Sequence, residues 1–189
     1  MPEVAGLVLA AGGGRRYGMP KALVRHRGAL FVEHAAGVLH DAGCVPVVVV
    51  LGAAADEVRA QARLSGLILV DNPAWESGMG SSLRVGLTAL ASSGTVAAVV
   101  LPVDTPGVTV AAVRRLADLA APDTLARATY DGAPGHPVVL GRSHWSGVIE
   151  SATGDRGARD YLASHPVASV DCADIASGVD VDRPADLPD

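Results

Sequence analysis

Two sets of charged residues in this chain are spaced for chemistry. Arg16 and Lys21 follow the run Gly12-Gly13-Gly14, and just before that run stands the unbroken apolar segment Val4–Ala10. Such a segment reads as a strand buried on both faces. Glycines let the following loop turn sharply and bring backbone N–H groups close to a ligand, and cations beside them supply charge. The combination makes a polyphosphate-binding turn. Five of the 15 Lys and Arg residues (Arg15, Arg16, Lys21, Arg25, Arg27) fall within residues 15–27 with no Asp or Glu among them, although the chain carries a net charge of -5. A cationic cluster in an acidic protein fits an anion held at one place, not a generally basic surface.

The acidic candidates lie far away in sequence. Asp104 stands in L-P-V-D-T-P, just past a second apolar run, Val96–Leu101. A carboxylate fixed by a strand and exposed by a loop suits a metal ion; the same residue would equally serve an Asx turn beside Pro106. Asp180, Asp182 and Asp186 occupy V-D-V-D-R-P-A-D-L, where alternation puts Asp180 and Asp182 on one side of a strand, as ligands or as a solvated acidic end. In D-N-P-A-W-E-S-G-M-G-S-S-L, Asn72, Pro73, Gly78 and Met79 are turn chemistry. Ser81 and Ser82 then open a helix, whose N-terminus favours anions. G-H-P at 135–137 and G-D-R-G-A-R at 154–159 add His136, Asp155, Arg156 and Arg159, which read locally as turn, helix-cap or solvated residues.

The elements that must position these residues alternate. Helical spacing marks 30–42, 56–64, 79–91 and 110–120; buried strands read at 4–10, 45–51, 67–70 and 96–101. Repeated strand–helix units imply a mostly parallel sheet with helices on both faces, and ligands then sit beyond the carboxyl ends of the strands. The loops 11–21, 71–82 and 102–107 all fall at such ends. Later strands are expected at Leu125–Tyr130, Pro137–Leu140, 167–171 and 179–182, with D-G-A-P-G-H as a loop and a helix near 156–164. No internal repeat and no linker divides the chain, so one domain over 1–189 is expected.

Several function classes are excluded. A Walker A loop needs Gly-Lys-Ser/Thr, and Gly18 precedes Met19; the dinucleotide fingerprint needs glycine where Tyr17 stands. Aromatics are 3% and the balance is acidic, which opposes nucleic acid as a partner. The six histidines show no metal spacing, and Cys44 and Cys172 make no disulfide framework. No apolar run reaches the ~18 residues of a membrane span, and no signal peptide opens the chain, so no membrane partner and a cytoplasmic location are expected.

The string L-A-A-G-x-x-x-R-x-G-x-x-K, Leu9 to Lys21, resembles the signature loop of the molybdenum-cofactor nucleotidyltransferases. The resemblance implies a single-domain, three-layer α/β/α Rossmann-like nucleotidyltransferase fold, with residues 1–107 binding the nucleotide and 108–189 on the acceptor side. It implies that Leu9, Ala10, Ala11, Gly12, Gly13 and Gly14 line the nucleotide site, that Arg16 and Lys21 hold its phosphates, and that Ser82 and Asn72 contact it. Asp104 and Asp182 become ligands of Mg2+, with Asp104 also catalytic beside Arg16 and Lys21. His136, Arg156 and Arg159 become acceptor-side contacts. The activity implied is transfer of CMP from CTP to the phosphate of molybdopterin, on behalf of a client molybdoenzyme. Ala-Ala-Gly, in place of Ala-Gly-Gly, favours the cytidylyl branch over a GTP-dependent guanylyltransferase. A sugar-phosphate nucleotidyltransferase, a non-catalytic nucleotide-binding accessory protein and a mononucleotide-binding regulatory domain are the alternatives. Gly14 and Tyr17 depart from the family, which commonly has serine at the first position and methionine or phenylalanine at the second.

Overall fold

The computed structural model describes residues 3–188. The three apolar runs form the middle of one sheet: β1 (Val4–Ala10), β4 (Val47–Leu51) and β6 (Ala97–Pro102), all parallel. With β5 (Ile68–Asp71), β7 (Leu125–Tyr130), β8 (Ala133–Gly141) and β9 (Ala168–Asp171) the order is β5-β4-β1-β6-β8-β7-β9. Among the described strands of this sheet, β8 alone runs against the rest. A small hairpin, β2 (Arg25–His26) and β3 (Ala29–Leu30), lies outside it.

Alternation along β1 decides the layers. Val8 and Ala10 enter one core with α1 (Phe31–Asp41), α2 (Ala55–Gln61) and α4 (Val110–Ala117). Ala5, Leu7 and Leu9 enter the other with α3 (Met79–Ala89), α5 (Trp145–Ser151) and α6 (Arg159–Ala163). The mostly parallel, three-layer architecture is therefore the expected one. Helix α3 comes unusually close to the sheet at Gly86, where a Cβ would stand 2.3 Å from Leu7 Cδ1. That approach fixes the helix whose first turn carries Ser82. Among the described residues no helix is long and apolar enough to cross a membrane.

The last third differs from expectation in three places. D-G-A-P-G-H is not a loop: Asp131 (φ 51°) and Gly132 (φ 82°) alone make the turn, the paired left-handed residues of a two-residue hairpin, and β8 starts at Ala133. Residues 179–182 form no strand and join no ladder, and Val181 N–H donates to Asp104 C=O at 2.8 Å. Helix α5 was not expected at all. Its turn-rich sequence, W-S-G-V-I-E-S, hides an apolar face of Trp145 and Val148, and the Trp145 indole N–H donates to Leu140 C=O at 2.8 Å.

Candidate functional site

Strand β1 ends in a loop whose path depends on Gly14. Its φ is +63°, and a Cβ there would lie 1.8 Å from the Met19 carbonyl oxygen. Gly18 N–H closes the turn on Gly14 C=O at 2.8 Å. A serine at Gly14, common in the resembled family, cannot be accommodated in this conformation. The loop frames a cleft of about 360 Å3 together with Lys21, Trp75, Ser82, Asp104 and Asp182.

Pro20 leads into a short helical turn, Lys21–Leu23, whose Ala22 and Leu23 are buried and so anchor the lysine. Lys21 Nζ donates to Asp104 Oδ2 at 2.9 Å and to Asp182 Oδ1 at 2.7 Å. Arg16 Nη1 meets the other Asp182 oxygen at 3.0 Å. Four residues predicted from distant segments thus converge on one spot. Burial opposes the Lys21 charge, but hydrogen bonds and attraction from the two carboxylates outweigh it and raise its pKa. The Lys21 hydrogen bond is the main reason the Asp182 carboxyl sits below the usual carboxylate range. Among the described residues no group of three or more His, Cys, Asp and Glu could hold a metal ion. Two carboxylates suffice for an ion completed by phosphate and water oxygens.

Asn72 does not reach the cleft. It is buried, with Nδ2 donating to Ser81 Oγ at 2.8 Å and Ser82 Oγ at 2.9 Å, and Oδ1 accepting from Ala74 N–H at 3.0 Å. It works one layer behind, orienting the Ser82 hydroxyl that does line the cleft. Leu9, Ala11, Gly12, Gly13 and Gly14 also line it, whereas the Ala10 side chain enters the core on the other face of the sheet.

A second cavity, about 270 Å3, opens beside the first and shares Leu9, Met79, Pro102, Asp104 and Asp155 with it. It receives His136, Arg156 and Arg159, the three acceptor-side candidates. His136 is brought there by an irregularity. Between Arg127 and Thr129 the partner on β8 jumps from Val138 to Pro134, so Gly135–Pro137 bulge from the ladder. Tyr130 O–H pins the bulge by donating to His136 C=O at 2.7 Å. Burial holds the His136 imidazole pKa below its ordinary value, with Arg159 acting in the same sense and Asp104 opposing. Arg156 pairs with Asp160 at 2.7 Å. Asp180 also lines this cavity, its pKa raised by burial and then by Asp104 and Asp182.

Wall residues not predicted include Trp75, Asp155 and Arg127. Trp75 had a signal, a tryptophan in a turn-rich loop; its ring edge stands against Gly13, where a Cβ would lie 3.0 Å from Cζ3. Arg127 had none, because a lone arginine in L-A-R-A-T-Y looks like a solvated strand position.

Residues 6–170 match the MobA-like NTP transferase domain. The chain belongs to that family. This makes it a nucleotidyltransferase, in agreement with the fold and the resemblance of the glycine loop. It is also 40% identical to the nicotine blue oxidoreductase of Paenarthrobacter nicotinovorans, covering 96% of this chain and 93% of that one. The crystal structure of Rv0371c from Mycobacterium tuberculosis H37Rv superposes with a TM-score of 0.83 at 29% identity, over 98% of this chain and 95% of that chain. A complex of Rv0371c with manganese gives 0.78 at 28% identity, over 90% and 88%. Asp182 lies beyond the matched span, which is why its place beside Lys21 depends on the tail and not on the sheet.

Proposed function

We propose that this enzyme transfers CMP from CTP to the phosphate of a molybdopterin-type acceptor, releasing pyrophosphate. The observation that carries the reading is the meeting of Lys21, Asp104, Asp182 and Arg16 at the edge of the glycine-framed cleft. Loop N–H groups, Arg16 and Lys21 would bind the triphosphate and align it. An acceptor phosphate in the second cavity would present an oxygen to the α-phosphorus; that P–O bond forms as the bond to pyrophosphate breaks, and pyrophosphate leaves with the electron pair. A phosphate monoester is already ionised at neutral pH, with a second pKa of about 6. No general base is required, which suits a His136 held neutral and placed to hydrogen-bond without adding charge.

Asp104 and Asp182 would hold the divalent ion, magnesium in our reading. The pair suits a cation because it already binds one, the Lys21 ammonium at 2.9 and 2.7 Å. The manganese complex of Rv0371c adds support. Once bound, such an ion neutralises charge developing on the phosphates. Lys21, released from the carboxylates, would then be free to hold phosphate oxygens.

The test is pyrophosphate release from CTP, GTP, ATP or UTP with molybdopterin as acceptor. CTP should be the preferred donor; a preference for GTP would move the enzyme to the guanylyl branch, and no release from any nucleotide would reject the reading. The 40% identical oxidoreductase favours a second reading, in which the two adjoining cavities serve a redox reaction. Redox turnover of nicotine blue with no pyrophosphate release would favour it.

A further inference from the structure

Arg127 occupies an interior position on β7. Its neighbours Ala126 and Ala128 face the α4 layer, so Arg127 turns to the opposite face, into the second cavity. Its Nε is buried and has no hydrogen-bond partner. Asp104, Asp155 and Asp180 line the same cavity, yet none forms an ion pair with it among the described residues. A buried Nε–H that makes no hydrogen bond has lost its hydration without direct replacement in the free protein. A ligand is the natural source of its missing partner.

The position of Arg127 says which part of a ligand it meets. It pairs with Val138, Val138 pairs with Val100, and Asp104 lies further along the same course as Val100. Two strand spacings across and two residues along put the backbones of Arg127 and Pro102 on the order of 12 Å apart, and Asp104 lies in the turn just beyond. The cavity walls combine the apolar Leu83, Val100, Val138, Leu140 and Leu162 with the charged Asp155, Arg156, Arg159 and Asp180. We infer that Arg127 is a specificity-determining residue that receives the far end of the second reactant, a partly apolar group whose remote edge carries paired oxygen acceptors. The side edge of a guanidinium, Nε–H with one Nη–H, matches such a pair of oxygens. Calling that reactant the acceptor rests on the nucleotidyl-transfer reading; the cavity chemistry does not.

The experiment uses the full chain and two probes of one shape, benzoate and benzamidine, titrated by calorimetry without nucleotide. Benzoate should bind and benzamidine should not. Arg127→Met should weaken benzoate binding at least tenfold, Arg127→Lys should restore part of it, and Arg59→Ala should leave it unchanged, because Arg59 lines neither cavity. The melting temperature of Arg127→Met without ligand should equal or exceed that of the unaltered chain. A lower one would make Arg127 a structural residue and overturn the inference, as would benzoate binding that ignores Arg127 or is absent. Stabilisation by CTP with magnesium, measured in parallel, reports on the nucleotidyl reading alone. Its absence alongside Arg127-dependent benzoate binding would sink that reading and leave the role of Arg127 supported.

Discussion

Lys21 Nζ and Asp182 Oδ1 lie 2.7 Å apart although 161 residues separate them. The lysine keeps Asp182 and Asp104 together, and each side chain is less than one-third exposed. Lys21→Met removes the cation and leaves two carboxylates facing each other. The variant should lose about 1–2 kcal/mol of stability, less than a fully buried pair would cost because water still screens the site. Manganese should recover most of that loss, since an ion that binds only the folded state stabilises it by mass action. Transfer activity should fall roughly 10²–10³-fold, the usual effect of losing one charge-stabilising donor. Thermal denaturation with and without manganese checks the first two outcomes, and pyrophosphate release checks the third.

Gly14→Ser should abolish tight nucleotide binding. The side chain would drive its Cβ into the Met19 carbonyl and force a positive φ on a residue that disfavours it. Because the loop is at the surface, the protein should still fold, with a melting temperature within a few degrees of the unaltered chain. CTP-induced stabilisation should disappear. A serine variant that binds CTP normally would show that the loop readily takes another path.

Asn72→Ala should behave as a positioning defect. Ser81 and Ser82 lose their shared donor, and the loop loses the acceptor of Ala74 N–H. The loss should be about 1–3 kcal/mol, the cost of leaving buried polar groups unsatisfied. The Michaelis constant for the nucleotide should rise more than the turnover number falls, because Ser82 would be displaced while Lys21 and Asp104 stay in place. Steady-state kinetics separates the two constants.

Glu33 governs part of the acid stability. Its carboxylate accepts Leu30 N–H and Arg63 N–H, each at 2.8 Å, tying the start of α1 to the segment after α2. Burial alone would raise its pKa, but these backbone hydrogen bonds and Arg63 lower it below its ordinary value of 4.5. The stability it contributes is therefore complete above pH 4.5 and is lost as the pH falls through the depressed folded value. Glu33→Gln should cost about 1–2 kcal/mol at pH 7, in the range of hydrogen bonds to a charged group. Near pH 3 the difference should shrink. Urea denaturation across that range measures it.

Where one face or one turn dominates, the sequence reports the structure directly. Val4–Ala10, Val47–Leu51 and Ala97–Pro102 are apolar on both faces because helices cover both, and that composition is visible without neighbours. Gly14 and Lys21 were legible because their chemistry is local. Asn72 was legible as important but not as to where it points: a polar residue that holds serines and one that holds a nucleotide have the same local sequence. The alternation of Asp180-Val181-Asp182 looked like a strand, but a strand also needs a partner, and only the single bond from Val181 to Asp104 is there. Arg127 was invisible because its cavity is closed by α6 and the tail, elements more than 30 positions away.

The tether from Val181 N–H to Asp104 C=O has a consequence for durability. The sheet ends at β9, so a protease cutting at the exposed Val179 would leave every described strand intact while freeing the segment that bears Asp182. Such a clipped protein would keep its circular dichroism and lose its turnover. The C-terminal segment is the fuse of this enzyme, failing before the fabric it is attached to.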